Sequence, residues 1–352
     1  MSNFINNFFP ISANFIGSVL ASFLPAWIAD IIRIIVSISV FFVVGTIVVM
    51  SLVYLERRII AFMQDRLGPN RVGPEGLFQP VADVIKLFSK EDIVPSSADG
   101  VVFKLSTIVM VVSALLVYTV IPFGPGMIIS DLNIGILFAA AISSLTAIGM
   151  LMAGWGSNNK YALLGAMRAA AQVISYEIPL VFSIIGVVMI TGSLSTVSIV
   201  NGQAAWSGWR WNILLQPIGF IVYFISATAE LNRTPFDLME AESEIVAGYH
   251  TEYSGVRFAL FFLAEYLNAF AVAALGATLF FGGWLGPFLP PYVWFLLKTY
   301  LLFFIFYWMR GTLPRVRIDQ LMGLAWKYLL PAALVNVLIT GVGMSIYQAL
   351  TT

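Results

Sequence analysis

Eight stretches of the sequence are each long and apolar enough to cross a lipid bilayer as a helix. A span needs about 20 apolar residues, because the hydrocarbon core of a bilayer is about 30 Å thick. The chain is 60% hydrophobic and only 10% charged, whereas soluble domains carry roughly 25% charged residues. We therefore predict an all-α, polytopic integral membrane protein. The predicted spans are 31–54, 102–123, 132–154, 162–191, 212–231, 256–281, 292–309 and 325–348.

The chain is predicted to form one membrane domain with two elaborate loops. Residues 1–30 mix asparagines and prolines with apolar residues, and we predict an N-terminal interfacial segment there. Residues 31–350 show no internal repeat at a fixed period and are predicted to form a single helical membrane domain. The loops 55–101 and 232–255 are too long and too patterned to be simple connections.

The basic residues predict the orientation of the spans. Fifteen of the 18 lysines and arginines fall in or beside the odd-numbered loops, and basic loops stay on the negative side of a membrane. We call this the inward side (cytoplasm or matrix), and both termini then face the positive side. The formal net charge is zero, which gives no sign of a nucleic-acid partner. The chain has no cysteine and one histidine, so we expect it to hold no iron–sulfur cluster or other metal-ligated cofactor.

The first inward loop combines turn chemistry with a short amphipathic helix. Residues 67–76 are dense in glycine and proline, which indicates turns. In 78–89 the apolar residues Phe78, Val81, Ile85 and Phe88 recur at helical spacing, which predicts a helix lying in the interface plane. Two interpretations remain open: a helix packed on the protein's own surface, or a gate for a ligand dissolved in the lipid.

The second elaborate loop carries a run of carboxylates. Thr234 is a candidate helix N-cap, with Pro235 at the first helical position. In the predicted helix, Asp237, Glu240 and Glu244 would share one stripe. Such a run is commonly just a solvated face, but here it joins two spans that carry acids of their own.

Ionisable residues inside the predicted spans are expected to be functional. Glu177, Glu265 and Lys298 lie within spans, and Glu230 ends one. A charge at the middle of a membrane helix costs about 2.5–3.5 kcal/mol on insertion scales. The alternative is ion pairing between helices, for example Lys298 with Glu177 or Glu265. The functional interpretation is a proton path that begins at surface acids and continues inward through Glu240, Glu242, Glu244, Glu252, Glu230, Glu265 and Glu177.

The polar stretches of the chain resemble the H subunit of bacterial respiratory complex I (NADH-quinone oxidoreductase), which is equivalent to subunit 1 of the mitochondrial NADH dehydrogenase. The matching motifs are ERR at 56–58, QDRLGPNRVGP at 64–74, SYE at 175–177, ELNRTPFD at 230–237, EAESE at 240–244, GYHTEY at 248–253, AEY at 264–266 and RGTLPRVRIDQ at 310–320. They fall in order along the chain, and each is long and unusual.

The resemblance implies a subunit at the junction of the hydrophilic and membrane arms, without a redox centre of its own. The substrate would be a quinone (ubiquinone or menaquinone), with flavin and iron–sulfur clusters on partner subunits. The helix at 78–89 would frame the tunnel mouth, and Arg315 and Arg317 would face the peripheral subunits. The glutamates above would form the proton path. The residues implied at the quinone tunnel are Arg57, Asp65, Arg66, Gly68, Pro69, Phe78, Arg233 and Phe236.

The expected location is the bacterial inner membrane, or alternatively the mitochondrial inner membrane, in contact with the other complex I subunits. Two alternatives stay open at this stage. One is the homologous subunit of a membrane-bound hydrogenase, and the other is a stand-alone proton-coupled transporter. A transporter usually shows paired internal repeats with broken helices, and we find none in this sequence.

Overall fold

The computed structural model of the protein describes residues 26–204, 210–239 and 242–351. Across these residues the regular elements are helices and no strand is present, so the predicted all-α class is confirmed. Most of the N-terminal interfacial segment lies outside the described residues and stays a prediction. The helices are α1 Ala26–Met63, α2 Gln79–Ser89, α3 Gly100–Val117, α4 Gly135–Ser143, α5 Leu145–Gly156, α6 Lys160–Thr191, α7 Thr196–Gly202, α8 Asn212–Leu215, α9 Pro217–Glu230, α10 Glu242–Ile245, α11 Gly255–Phe280, α12 Pro291–Thr312, α13 Ile318–Gly323 and α14 Leu330–Thr351.

Helices occupy all eight of the predicted spans. In the described part of the chain, seven helical stretches are long and apolar enough to cross a membrane. An eighth, α9, is apolar but only 14 residues long. A stretch of π-helix, Leu324–Leu329, joins α13 to α14 and makes the last span a long continuous one.

The fifth predicted span is two helices rather than one, and a proline is the reason. Gln216 separates α8 from α9 with φ −131° and ψ 52°, outside the helical region. A residue that precedes proline is disfavoured in the helical conformation because the proline ring crowds it. Pro217 itself is well suited to the first position of α9, where its missing N–H is not needed.

Two helices form the centre of the bundle. α11 packs against α1, α3 and α12, and α6 packs against α5, α9 and α14. Most of the α11 side chains are buried, and α6 presents small buried residues such as Gly165, Ala166 and Ala169 to its neighbours. Small residues allow the backbones of membrane helices to approach closely. These two helices carry Glu265 and Glu177, so the acids lie on the most enclosed elements.

The predicted amphipathic helix is present as α2, and its apolar face points away from the chain. Phe78, Ile85 and Phe88 are 52%, 63% and 65% exposed. An ion pair between Arg57 of α1 and Asp83 of α2, with 2.6 Å between nitrogen and oxygen, fastens the opposite face. α2 also packs against α1 and α11, so both interpretations, a helix on the protein's own surface and a gate for a ligand dissolved in the lipid, stay predictions. The exposed side chains of Phe78, Ile85 and Phe88 are available to lipid or to a neighbouring subunit.

Candidate functional site

A narrow cavity lies between α3, α4, α5, α6, α9 and α11. Its volume is about 70 Å³, and a buried water molecule needs roughly 10–15 Å³ of such space. The cavity therefore has room for a few water molecules. Its walls are mainly apolar, and its polar lining residues are Ser143, Thr146, Tyr223, Glu230, Asn232, Tyr249, Glu265 and Asn268.

Glu230 reaches this cavity from the C-terminal end of α9. The last carbonyls of a helix have no hydrogen-bond donor within the helix. Here side chains donate hydrogen bonds to two of these carbonyls. Gln172 of α6 donates from Nε2 to the Ala229 carbonyl at 2.7 Å, and Asn232 donates to the Glu230 carbonyl at 3.2 Å. These bonds fix the position from which the Glu230 carboxyl enters the cavity.

Glu177 lies beside the cavity rather than in its lining. It sits on α6, the helix that contributes Leu180 and Ile184 to the lining. The Ser143 hydroxyl also lines the cavity and donates to the Ala140 carbonyl at 2.9 Å. Two of the predicted path acids, Glu230 and Glu265, are thus brought together in one cavity.

Glu265 forms a buried ion pair with Arg233. The distance between Arg233 Nη2 and Glu265 Oε1 is 3.1 Å, and the two side chains are only 8% and 14% exposed. The guanidinium also lies 4.5 Å from the ring centroid of Tyr266 and 5.8 Å from that of Tyr307. A buried cation is stabilised by such aromatic faces. Arg233 is therefore held by Glu265, which lines the cavity, and by the rings of two tyrosines.

A second buried acid, Glu56, completes a charged cluster that the sequence did not predict. Glu56 is 5% exposed and accepts hydrogen bonds from the Tyr266 hydroxyl and the Arg310 guanidinium. The two positive charges of Arg310 and Arg233 are balanced by the two negative charges of Glu56 and Glu265. The cluster therefore contains these four residues. We call these four residues with Tyr266 and Tyr307 the Arg233 cluster.

Glu56 and Arg310 are the members of the Arg233 cluster that were not predicted, and the sequence contains only a weak signal that they are buried together. Glu56 and Arg310 each lie within a few residues of the end of a predicted span, on the side predicted to be inward. A buried carboxylate requires a partner, but the two positions lie on α1 and α12, far apart in the chain. Nothing in either motif indicated that these helices pack side by side.

The loop after α9 is not helical where a helix was predicted. Residues 232–239 form turns, bends and irregular backbone, and within the described part of this loop an α-helix appears at Glu242–Ile245. Gln172 donates from Nε2 to the Phe236 carbonyl at 2.8 Å, and the side chains of Phe236, Leu238 and Met239 are buried. Burial of three apolar residues in such a short stretch outweighs helix propensity here. The predicted shared stripe of Asp237, Glu240 and Glu244 is therefore wrong as a helix face.

The surface acids of this loop differ in their partners. Glu240 lies outside the described residues, and Glu242 begins α10 with a side chain that is likewise not described. Glu244 is 2.6 Å from Arg168 and 3.9 Å from Arg315, and the hydrogen bond from Arg168 lowers the pKa of its carboxyl. Glu252 accepts a 2.5 Å hydrogen bond from Asn159, the residue that caps the N-terminus of α6.

The residues implied at a quinone tunnel fall into two groups. Arg233 and Phe236 are buried inside, where Phe236 packs against Tyr176 with ring centroids 5.8 Å apart. The others lie on the first inward loop. Arg66 donates to the Gln64 side chain at 2.7 Å and is exposed. Gly73 has φ +75°, where an added Cβ would collide with the Phe78 ring. The remaining members of that loop group are Arg57, Asp65, Gly68, Pro69 and Phe78.

Lys298 pairs with backbone oxygens and not with an acid. Its ammonium donates to the carbonyls of Phe281, Gly283 and Leu285 at 2.6, 3.0 and 2.5 Å. The suggested ion pair with Glu177 or Glu265 is therefore wrong. Among the residues that the structure describes, no group of three histidines or acids is placed to hold a metal ion.

His250 is the histidine of the inward loop, on the turn Gly248–His250 that packs against α6. Its ring meets Tyr249 and Phe258 edge to face, with centroids 5.0 and 5.6 Å apart. Burial lowers the pKa of the imidazole, while the charges of Glu265 and Asp237 oppose that shift.

Comparison with known proteins identifies similar chains over most of this length. A family model described as NADH dehydrogenase matches residues 36–341. The H subunit of the NADH-quinone oxidoreductase of Dehalococcoides mccartyi strain CBDB1 is 58% identical over 292 residues, covering 83% of this chain and 81% of the relative. The corresponding H subunit of Brevibacillus brevis is 54% identical, covering 84% and 88%. The first of the H subunits of Geobacter metallireducens is 51% identical, covering 86% and 93%.

Proposed function

This chain belongs to the NADH dehydrogenase family of complex I H subunits, and from that membership we propose that it walls the quinone tunnel and begins the proton path of the complex. It is a membrane subunit of NADH-quinone oxidoreductase and carries no redox centre of its own. Electrons for the quinone would come from clusters on partner subunits, and what this chain supplies is the surroundings of the quinone and the route for protons.

The observation that carries the proposal is the position of Arg233. It contacts Glu265, which lines the cavity, and it stacks on Tyr266, which bonds Glu56 on the other side. The buried Arg233 guanidinium therefore contacts both Glu265, in the proposed proton path, and Tyr266, which bonds Glu56. A change of charge near Glu56 and Arg310 would be felt at Glu265 strongly, because charges interact over longer range in a dry interior than in water.

The proposed coupling step is an exchange of partners at Arg233. Reduction of a quinone by two electrons and two protons passes through negatively charged species, which attract Arg310 and Arg233. When the Arg233 guanidinium turns towards that charge, Glu265 loses its counter-ion and takes up a proton that the surface acids of the inward loop deliver through water in the cavity. The proton then moves to Glu230, which lines the same cavity, and on to Glu177 of the neighbouring helix α6.

The other candidate residues take supporting parts in this proposal. Arg57, Asp65, Arg66, Gly68 and Pro69 would border the quinone tunnel, and Phe78 with the exposed face of α2 would frame its mouth in the lipid. Phe236 would form part of the tunnel wall behind Arg233. Glu240, Glu242 and Glu252 would collect protons at the inward surface. We assign Glu244 to anchoring the loop, because two arginines hold its carboxylate.

The proposed setting follows from the charge distribution and the relatives. The chain would lie in the bacterial inner membrane with both termini on the periplasmic side. The inward loops would dock the quinone-site and terminal iron–sulfur subunits of the hydrophilic arm, and the outer helices would contact membrane-arm subunits.

Glu230→Gln tests the proton path. The matched control is Glu91→Gln, an exposed acid of the first inward loop. Both variant complexes are purified and reconstituted in liposomes, and quinone-linked NADH oxidation and proton uptake are measured together. We expect Glu230→Gln to assemble but to lose most pumping and much of its quinone-linked rate, since glutamine cannot release a proton. Wild-type pumping in the assembled Glu230→Gln complex would refute the path.

A further inference from the structure

Lys298 occupies a cage of backbone oxygens at the end of α11. Its side chain is 5% exposed on a membrane-spanning helix. Its Nζ donates to three carbonyls, those of Phe281, Gly283 and Leu285, so all three ammonium protons have an acceptor. The rings of Trp211 and Trp294 lie 5.2 and 5.6 Å from the ammonium.

The backbone after α11 is shaped so that these carbonyls converge. Gly282 and Gly283 have φ +72° and +50°, a left-handed pair that glycine adopts at little cost. An added Cβ on Gly283 would lie 2.9 Å from Val200, so a larger residue would open the turn. Trp294 donates from Nε1 to the Pro287 carbonyl at 2.7 Å and closes the loop over the cage.

The cage lies just beyond the end of the cavity that is farthest from the inward loops. Leu275 and Leu279 of α11 line the cavity there, together with Ile136 and Ile184. Phe281, two residues after Leu279, is the first acceptor of the ammonium. This apolar end of the cavity, which we call the apolar plug, therefore lies two residues along α11 from a carbonyl that binds the buried ammonium.

Among the residues that the structure describes, no carboxylate forms an ion pair with the Lys298 ammonium. Carbonyl groups and aromatic rings stabilise an ammonium as dipoles and quadrupoles, which leaves the net charge in place. Fixed positive charges beside a narrow pore are a known physical means of excluding protons and cations.

We propose that Lys298 is an electrostatic barrier that keeps protons in the cavity from crossing to the positive side. The proposal rests on the proposed function in one respect, that the cavity holds protons. A proton that entered the apolar plug would meet an uncompensated positive charge in a medium of low dielectric constant, where repulsion is strong. With this barrier, protons would enter and leave the cavity only from the inward side.

The test measures passive proton leak, with no substrate and no turnover. The whole complex is reconstituted in liposomes, a potassium diffusion potential is applied, and internal pH is followed with a trapped dye. The variants are Lys298→Gln, which is neutral but still donates hydrogen bonds, and Lys298→Arg, which keeps the charge. Lys104→Gln, an exposed lysine of α3, is the matched control.

We expect Lys298→Gln to raise the leak about tenfold, equivalent to about 1.4 kcal/mol on a barrier, and the other two variants to leak like wild type. A wild-type leak in assembled Lys298→Gln would overturn the barrier. Failure of Lys298→Gln to assemble while Lys298→Arg assembles would also overturn it, in favour of a purely structural cap on α11. The outcome for Glu230→Gln is separate, because loss of pumping there requires no leak.

Discussion

The guanidinium of Arg233 lies 3.1 Å from the carboxylate of Glu265, and both side chains are almost entirely buried. One residue belongs to an inward loop and the other to the middle of α11. Pairing makes it possible to keep both charges in the interior, where either alone would be very costly. The pair also places a titratable acid of the cavity in contact with the residues around Glu56.

Removing Arg233 alone should destabilise the protein more than removing the whole pair. Arg233→Gln leaves Glu265 buried without its partner, which we expect to cost about 3–5 kcal/mol. Arg233→Gln combined with Glu265→Gln should be less damaging, because no uncompensated charge remains. Thermal unfolding midpoints of the purified complexes measure this, and a double variant as unstable as the single one would show that the pair is not the cause.

Arg66→Ala should impair quinone turnover and spare the upstream reaction. The exposed Arg66 guanidinium is held by one hydrogen bond to Gln64, so its loss should leave the fold intact. We expect a higher apparent KM for quinone or no quinone turnover, with NADH oxidation by artificial acceptors unchanged. Lys90→Ala at the end of α2 is the control. An unchanged response to quinone would remove Arg66 from the tunnel.

Gly165→Ala should disturb the packing of the inward loop against α6 at Gly248. The added Cβ would lie 2.6 Å from the Gly248 Cα, which is backbone and has no side chain that can turn aside. Overpacking of this kind costs about 1–3 kcal/mol. Gly343→Ala is the matched control, since nothing lies within 4 Å of its Cβ. The yield of assembled complex should fall for Gly165→Ala only, and equal yields would contradict the close contact.

His250 should make the protein less stable in mild acid. Burial lowers the pKa of its imidazole below the usual value of about 6.5. The unfolded chain then binds a proton before the folded chain does, so stability is complete above about pH 6.5 and is lost as the pH falls towards the lower folded pKa. His250→Gln should flatten this dependence. Thermal inactivation midpoints at pH 7.5 and 5.5 measure it, and an equal drop in both proteins would exclude His250 as the source.

The sequence by itself determined the membrane class, the positions of the spans and the ionisable residues within them. A run of about 20 apolar residues has one stable form in lipid, a helix that satisfies its own backbone. The amphipathic pattern at 78–89 depends only on the spacing of Phe78, Val81, Ile85 and Phe88, and α2 is present there. An ionisable residue within an apolar span can be identified from the sequence alone. No coordinates were therefore needed to single out Glu177, Glu230, Glu265 and Lys298.

Only the tertiary structure decided which charges meet. Glu56 and Arg310 come from opposite ends of the chain and bond because α1 packs beside α12. Lys298 meets carbonyls because two left-handed glycines turn the chain after α11. The segment after Thr234 is not helical because its apolar side chains are buried. Each of these outcomes depends on how helices pack in three dimensions, and the length or spacing of residues in one segment carries no information about the segment it will touch.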